Sequence, residues 1–595
     1  MIAPMTKFSF ILLNGQQRDL LERLQELGLV DITRSAKPVD DSSQEMMAEI
    51  QLIDGLIKGL GNADVPEGTV PEAIDGDIVR LAGGMLMRYA EDGEQIRQME
   101  KEVERLRVWG SFDPALLEKL SAAGVPLHFH SLPTKLFKSE WAGEYPVSVV
   151  ATDKTTTWFV VAGEDPLPGE IPAPEGDFRQ KEKQLQEKQQ HFSRVLSRIA
   201  GAKERIPELE TLRREAYARL DLYLADAAAV PAAEDTIVTL EGFAPREHEA
   251  TVAAELDRLG VFYLKEEAAV ADNPPISFRN TAFVRLFEPL TDMYGRPAYD
   301  GFDPTPFIAV FFMLFFAFCM GDCGYGLVLV AVGLLMRRSA GSMRSLAPLV
   351  TVLGCATTVI GFLFHTFFSM DIAAWSIFAP IRGIFLPSKI MGYDGTMILA
   401  LLVGVFHICL AMVVKTWNAT KTRGFLGSLG TWGWTLLVVG GVIVGGVAFA
   451  GVISASVTRW VVIILGIVSG LGIFLLNDLH RNPLLNIGSG LWETYNTVTG
   501  LLGDVLSYLR LYALGLAGSM LGLAFNKIGL MVLGDGSSVV MWLPFVLIVL
   551  VGHVLNIAMA ALGAFVHPLR LNFLEFFKNS GYEAAGRKYK PLNKQ

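Results

Sequence analysis

Two arginines stand where a membrane would make charge costly. Arg510 lies in GDVLSYLRLYALGLAGSM and Arg570 in AFVHPLRLNFLEFF, each within a long apolar run. A charged side chain at a bilayer centre costs about 2.5–3.5 kcal/mol on insertion scales, so such residues mark ion paths, relays or partner contacts by default. The structural alternatives are snorkelling toward an interface, or pairing with a neighbour such as Asp504. Arg570 also has Glu575 and Lys578 close behind it.

The run that ends in Arg570 carries a second pattern. His553, Asn556, Ala560, Gly563, His567 and Arg570 are spaced 3, 4, 3, 4 and 3, which puts them on one face of a helix otherwise made of Leu, Val, Ile, Met and Phe. A stripe of small and polar residues can be a packing seam. Two histidines, an asparagine and an arginine on one face read better as a wet path or proton relay. On the run that holds Arg510, Glu493, Thr497, Asp504 and Ser507 precede the arginine, while Gly503, Ser507, Arg510 and Ala517 roughly share a face. His365 and His407 stand alone and read as structural histidines.

Other chemistries lack their residues. There is no G-x-x-x-x-G-K-[ST] phosphate loop, no H-E-x-x-H pair and no nucleophile-elbow serine. Cys319, Cys323, Cys355 and Cys409 match neither a disulfide framework nor a zinc spacing. No cofactor is expected.

The elements that must position these residues divide the chain in two. Its 595 residues have a mean hydropathy of +0.37. Residues 1–300 hold 33 Lys and Arg against 51 Asp and Glu, a balance of −18, whereas residues 301–595 hold 18 and 10. The first half is thus an acidic soluble region and the second a membrane domain; neither offers a basic nucleic-acid-binding surface. Apolar stretches predict eight spans, near 304–319, 323–337, 346–368, 396–416, 429–453, 457–477, 490–533 and 538–577. The first two are short enough that one kinked helix is an alternative, and the last two are so long that they must tilt, break or emerge.

Cations orient the spans. With the N-terminus inside, the inner segments carry Arg337, Arg338, Arg344, Lys415, Lys421, Arg423, Arg481, Arg587, Lys588, Lys590 and Lys594. The outer ones hold Arg382, Lys389, Arg459 and Lys527. Both termini are therefore expected in the cytoplasm, as is the soluble half, since Met1 to Gly15 has no secretory signal pattern.

The soluble half reads as α/β lobes joined by an antiparallel coiled coil. Strand–helix–strand grammar at 7–34 recurs at 235–266, and a further α/β patch lies near 118–163. Leu185, Phe192, Ile199 and Ile206 recur every seven residues beside a second seam of Val195, Ala202 and Leu209, and Ile96, Met99, Val103 and Leu106 repeat the pattern. The expected layout is a proximal lobe (1–40 and 230–290), coiled coil (80–110 and 176–226, broken or kinked at Pro207) and a distal lobe (115–170), then an all-α membrane domain at 301–595 whose last two helices are long and tilted. The helices would make residues 1–290 an elongated arm; a compact helical domain is the alternative.

Several of these stretches carry a likeness. SYLRLYALGLA, PLTDMYGRPAYDGFDPTPFIAVFFMLFFAFCMGDCGYG and FVHPLRLNFLEFF resemble the large membrane stator subunit of V-type and A-type rotary ATPases, subunit I of bacteria and archaea and subunit a of eukaryotes. KFSFILL, LLERLQELGLVDIT and VWGSFDP resemble its arm, so the likeness covers essentially the whole chain. The resemblance implies a subunit with no catalytic centre of its own. Arg510 would face a ring of rotor subunits and meet each rotor carboxylate in turn, with Arg570 in support. Two offset half-channels would let a proton or sodium ion reach the ring from one side and leave on the other. The implied partners are the rotor ring, the peripheral stalks, a central-stalk adaptor and the rest of the ATPase; the implied location is a bacterial or archaeal plasma membrane. An arginine suits the role because it does not deprotonate, and its charge in a low-dielectric site drives a carboxylate to release its proton. A buried lysine could lose its own proton instead. The chain departs from the eukaryotic pattern at Gly518, where that pattern has His, and at Ala560, where it has Glu; His553 and Asn556 are the candidates to take their place.

Two other classes compete. A secondary transporter would show two related membrane halves with Gly- or Pro-broken helices, and no such repeat is visible. A membrane-anchored coiled-coil scaffold accounts for the arm but leaves Arg510, Arg570 and the histidine stripe without a role.

Overall fold

The computed structural model describes residues 1–593 except 14, 35–36, 113, 139, 164–166, 175–176, 233–235, 339–341, 388, 391, 476–482 and 535–538. Arg481 and Lys594, two of the orienting cations, lie outside the described residues. The chain divides into two units, residues 1–10 with 241–591 and residues 11–240 with 592–595, a division that falls within two strands.

In chain order, strand β1 (Met5–Leu13), helix α1 (Gln17–Leu27) and β2 (Asp31–Ile32) form the first strand–helix–strand passage. Gly28, at φ 68°, takes the left-handed conformation that ends α1. Helix α2 (Asp41–Asn62) is an addition to the elements read from the sequence. The Asp40 carboxylate accepts from the Ser43 N–H at 2.8 Å and the Ser43 hydroxyl accepts from the Asp40 N–H at 3.0 Å, a reciprocal cap that fixes its start.

Long helices α3 (Ile78–Arg107) and α4 (Phe178–Glu204) flank an antiparallel sheet of β3 (Leu127–Pro133), β4 (Val147–Thr152), β5 (Thr156–Ala162) and β6 (Glu170–Ile171), ordered β4-β5-β3-β6. Helix α5 (Ile206–Asp226) follows α4 after a break at Arg205, with Pro207 in its first turn, where a missing N–H does no harm.

Helices α3 and α4 run antiparallel. Lys188 meets Asp92 at 2.5 Å, Lys181 meets Glu102 at 3.1 Å, and Tyr89 stacks on Phe192. Helix α5 lies antiparallel on α2 through Arg213–Asp54 at 3.1 Å and Arg219–Glu49 at 2.9 Å. The heptad residues Ile199, Ala202 and Leu209 are fully buried. Each such Ile or Leu contributes roughly 1.5–3 kcal/mol relative to exposure. Beyond α5, β7 (Val230–Ala232) pairs antiparallel with the start of β8 (Ile237–Pro245).

The second strand–helix–strand passage is β8, α6 (Glu249–Leu259) and β9 (Phe262–Glu267), and its sheet is ordered β2-β8-β1-β9.

The apolar half is helical. It holds α7 (Thr305–Met320), α8 (Cys323–Met336) and α9 (Ser342–Leu363), a small hairpin of β10 (Thr366–Phe367) and β11 (Met370–Asp371), then α10 (Gly395–Gly427), α11 (Leu429–Phe449), α12 (Ala455–Phe474), α13 (Pro483–Ser507), α14 (Leu509–Leu533) and α15 (Val539–Arg570). Among the described residues six helices are long and apolar enough to cross a membrane, with α13 and α14 counting as one 48-residue element. At 1.5 Å per residue that element is about 72 Å long, more than twice a core of about 30 Å. The two short helices, α7 and α8, are separate. Gly321 ends α7 in the left-handed conformation, and the Asp322 carboxylate caps α8 by accepting from Gly324 and Tyr325.

Close backbone approach sets the α8–α9 pair. A Cβ on Gly326 would lie 2.4 Å from the Thr358 nitrogen, one on Gly333 2.5 Å from the Thr351 hydroxyl, and one on Gly361 2.1 Å from the Cys323 nitrogen. The core beside them is aromatic, with Phe312, Phe315, Tyr508 and Phe576 all fully buried. The C-terminal tail returns to the segment that precedes α7. Gly586 N–H donates to the Arg296 carbonyl at 3.0 Å, Ile276 N–H to the Arg587 carbonyl at 2.7 Å and Tyr589 N–H to the Ile276 carbonyl at 3.1 Å.

Candidate functional site

Helices α14 and α15 run antiparallel, and their register decides which residues meet. At one end Lys578 reaches both Asp504 oxygens at 3.2 Å, and Asn579 donates to the same carboxylate at 2.8 Å. Further along, the Asn556 amide donates to the Gly518 carbonyl at 2.8 Å. Arg510 falls between these two ties, opposite the stretch that carries His567 and Arg570.

The two arginines differ in setting. Arg510 is half-buried; its Nη1 atom is fully enclosed and has no hydrogen-bond partner among the described residues. Arg570 is exposed. Neither forms an ion pair among the described residues. Ala513, Ala517 and Ala524 continue the Arg510 face of α14 and are exposed; Met559, Leu562 and Val566 do the same for Arg570 on α15. Each arginine thus lies at the end of an apolar helix face, which on α14 carries exposed Met520 beside the alanines. Arg570 is followed at once by a π-helical turn, Leu571–Phe576, which carries Glu575 inward to 4% exposure with Oε2 unpartnered among the described residues. Such turns re-aim side chains and recur at functional sites.

The remaining residues singled out by sequence fall into two groups. Glu493 and Thr497 line a polar cavity of about 270 Å³, together with Lys415, Thr435, Lys578 and Asn579. Asp504 is tied to Lys578 and Asn579 as above. Ser507 donates to the Gly503 carbonyl at 3.1 Å and lies in bonding reach of Glu575.

His553 and Asn556 belong to a separate buried network. The Tyr325 hydroxyl lies 2.7 Å from His553 Nδ1 and accepts from the Asn556 amide at 2.8 Å. His553 Nε2 meets the Asn526 oxygen at 2.9 Å, and Asn526 donates onward to the Phe368 carbonyl at 2.8 Å. The stripe on α15 thus winds from a closed interior at His553 to an open surface at Arg570.

Three residues of this arrangement were not singled out from the sequence: Tyr325, Asn526 and Tyr508. Tyr325 stands in the MGDCGYG motif, and Asn526 is a lone amide in an apolar run, which were the available signals. Tyr508 needed the fold. Its hydroxyl lies 2.9 Å from Nδ1 of His407, which is itself stacked between Phe311 and Phe576. His407 is fully buried there, in keeping with a packed core histidine.

Fold and site together define a multi-pass membrane protein with a mixed α/β N-terminal region and two arginines on one membrane-helix pair. Residues 171–372 and 491–594, just over half of the chain, match the V-type ATPase 116kDa subunit family, and the chain belongs to that family. It is 30% identical over 336 residues to the A-type ATP synthase subunit I of Pyrococcus abyssi, an alignment covering 54% of this chain and 48% of that protein. The chain thus spans about half the length of that relative. Over the full length of both chains it is 24% identical to V-type ATP synthase subunit I 1 of Treponema pallidum and 24% identical to V-type ATP synthase subunit I of Borreliella burgdorferi.

Proposed function

We propose that this chain is the membrane stator subunit of a V-type rotary ATPase, coupling the passage of a proton or sodium ion to rotation of a ring of carboxylate-bearing subunits. One observation carries the reading: half-buried Arg510 keeps an enclosed guanidinium nitrogen with no hydrogen-bond partner among the described residues, with Arg570 exposed on the facing helix. A cation so placed lowers the pKa of any carboxylate brought against it, so a rotor carboxyl releases its ion on arrival. Because arginine holds its own proton, the barrier between entry and exit stays closed.

In this reading both termini are cytoplasmic and all eight apolar helices contribute to the crossings. Glu493, Thr497, Asp504 and Ser507 belong to the inner half-channel, for which the polar cavity around Glu493 and Thr497 is the support. His553, Asn556 and His567 belong to the outward side. The arm comprises a proximal lobe, an antiparallel helical coil and a distal lobe, and it anchors peripheral stalks. A central-stalk adaptor and the catalytic subunits complete the set of partners.

The test is recovery of the tagged chain from its own membranes. Co-purification with ring, stalk and ATP-hydrolysing subunits, in a complex that takes up ions into vesicles on ATP addition, is the expected result. Recovery of the chain alone, transporting a solute without ATPase subunits, contradicts it.

A further inference from the structure

We infer that the open part of the outward route to Arg510 is a cleft lying across the β10–β11 loop from the His553 network. This deepens the stator reading and rests on it. The cleft holds about 180 Å³; its walls are largely apolar, but His365, Thr366, Asp394, Tyr512 and Ser519 bring polar groups into it, and Leu511, the neighbour of Arg510, is among its lining residues. The cleft therefore reaches α14 one residue from the proposed coupling arginine.

Within these apolar walls a few polar groups remain open to water. Asp394 is exposed at the start of α10; its Oδ1 accepts from the Thr396 N–H and hydroxyl. Deeper in, His365 has a buried Nδ1 with no partner among the described residues. Its backbone φ is +53°, and Phe368 and Ser369 nearby are at +45° and +58°. Non-glycine residues in that region cost of order 1–3 kcal/mol each and persist only where the surroundings hold them. Here the hold is Asp322, whose carboxylate accepts from the Phe368 N–H at 2.9 Å and the Ser369 N–H at 2.6 Å.

The loop has two sides. Phe368 receives Asn526 from the His553 side, and His365 and Thr366 face the cleft. His553 and Asn556, at 7% and 1% exposure, have both ring nitrogens and the amide nitrogen committed to protein partners. A transported ion needs polar valences that water can occupy, and these lie on the cleft side. The His553–Tyr325–Asn556 network acts as the positioning wall behind the loop.

The experiment uses the assembled ATPase in sealed vesicles whose ATP-binding side faces out, with a positively charged, membrane-impermeant methanethiosulfonate trapped in the lumen, against the face opposite the ATP-hydrolysing subunits. Ser519→Cys is compared with Asn556→Cys and with Ile443→Cys, a lipid-facing site, both with the native cysteines present and with all four replaced. Ser519→Cys should label at least tenfold faster than the other two and lose ATP-driven ion uptake on labelling. Ser519→Trp should cut uptake at least tenfold in complexes that retain all subunits. Labelling at Asn556 but not Ser519, or no labelling at Ser519 together with normal uptake by Ser519→Trp, overturns the inference. Arg510→Ala is measured alongside: if it still pumps, the stator reading itself fails, whereas a dead Arg510→Ala with an inert Ser519 removes only the proposed route.

Discussion

Lys578 spans both oxygens of Asp504 at 3.2 Å, tying the end of α13 to the segment that follows Arg570. Lys578 is 58% exposed, so the pair itself is worth only about 0.2–1 kcal/mol. Lys578→Gln should therefore leave the amount of assembled complex and its ion uptake within about twofold of wild type. Asp504→Asn keeps the shape and the Asn579 contact but removes the charge from the proposed inner path; uptake should fall several-fold while assembly is retained. Equal transport losses in the two variants would assign Asp504 a purely structural task.

The Tyr325 hydroxyl serves His553 and Asn556 together. Tyr325→Phe leaves both without that partner in a buried site, a loss of about 1–3 kcal/mol. Thermal unfolding of the detergent-solubilised chain should show it, and adding His553→Ala should cost less than the sum of the single changes. Strict additivity contradicts a shared network.

The α8–α9 seam makes a steric prediction. Gly361→Ala would push a methyl to 2.1 Å from the Cys323 nitrogen, whereas Gly441→Ala meets nothing within 4 Å. The first should destabilise the membrane domain by roughly 1–3 kcal/mol. The second should be neutral or slightly stabilising. Folded yield by size-exclusion chromatography separates them, and equal yields contradict the close approach.

Outside the membrane, burial pushes the Asp292 carboxyl up, but hydrogen bonds from Arg296 and Lys588 outweigh it and hold the group below the usual carboxylate value. A depressed carboxyl stabilises the fold above its unfolded pKa of about 3.9 and loses that contribution as pH falls through the folded value. Docking of the C-terminal tail should therefore be constant from neutral pH down to about 5 and weaken only below about 4. Hydrogen exchange of residues 583–591 at graded pH tests this. Asp292→Asn should loosen the tail already at neutral pH, and wild-type loosening between pH 7 and 5 contradicts the assignment.

Much of the architecture was legible because it is periodic. The seven-residue spacing of Leu185, Phe192 and Ile199 and the paired strand–helix–strand passages needed no tertiary information. Helix α2 was missed although Asp40, Ser43 and the spacing of Ile50, Ile53, Leu56 and Leu60 carried its signature. The two arginines were visible because charge is rare in apolar sequence. What periodicity could not give is which face a membrane helix buries, since lipid and protein interior are equally apolar. Hence the stripe on α15 looked uniform, yet His553 is enclosed and Arg570 is open. Tyr325, Tyr508 and Asn526 act through partners 228, 101 and 27 residues away, pairings that only the fold creates.

The role proposed for Arg510 is to force each rotor carboxylate to give up its ion and to seal the path between the half-channels. ATP-driven ion uptake by vesicles carrying fully assembled complex measures it most directly, with Arg510→Ala and Arg510→Lys compared with wild type at equal complex content. Uptake should fall to background in both, the lysine failing because it can surrender its proton in a buried site. Pumping by Arg510→Ala at more than a small fraction of the wild-type rate would contradict the account.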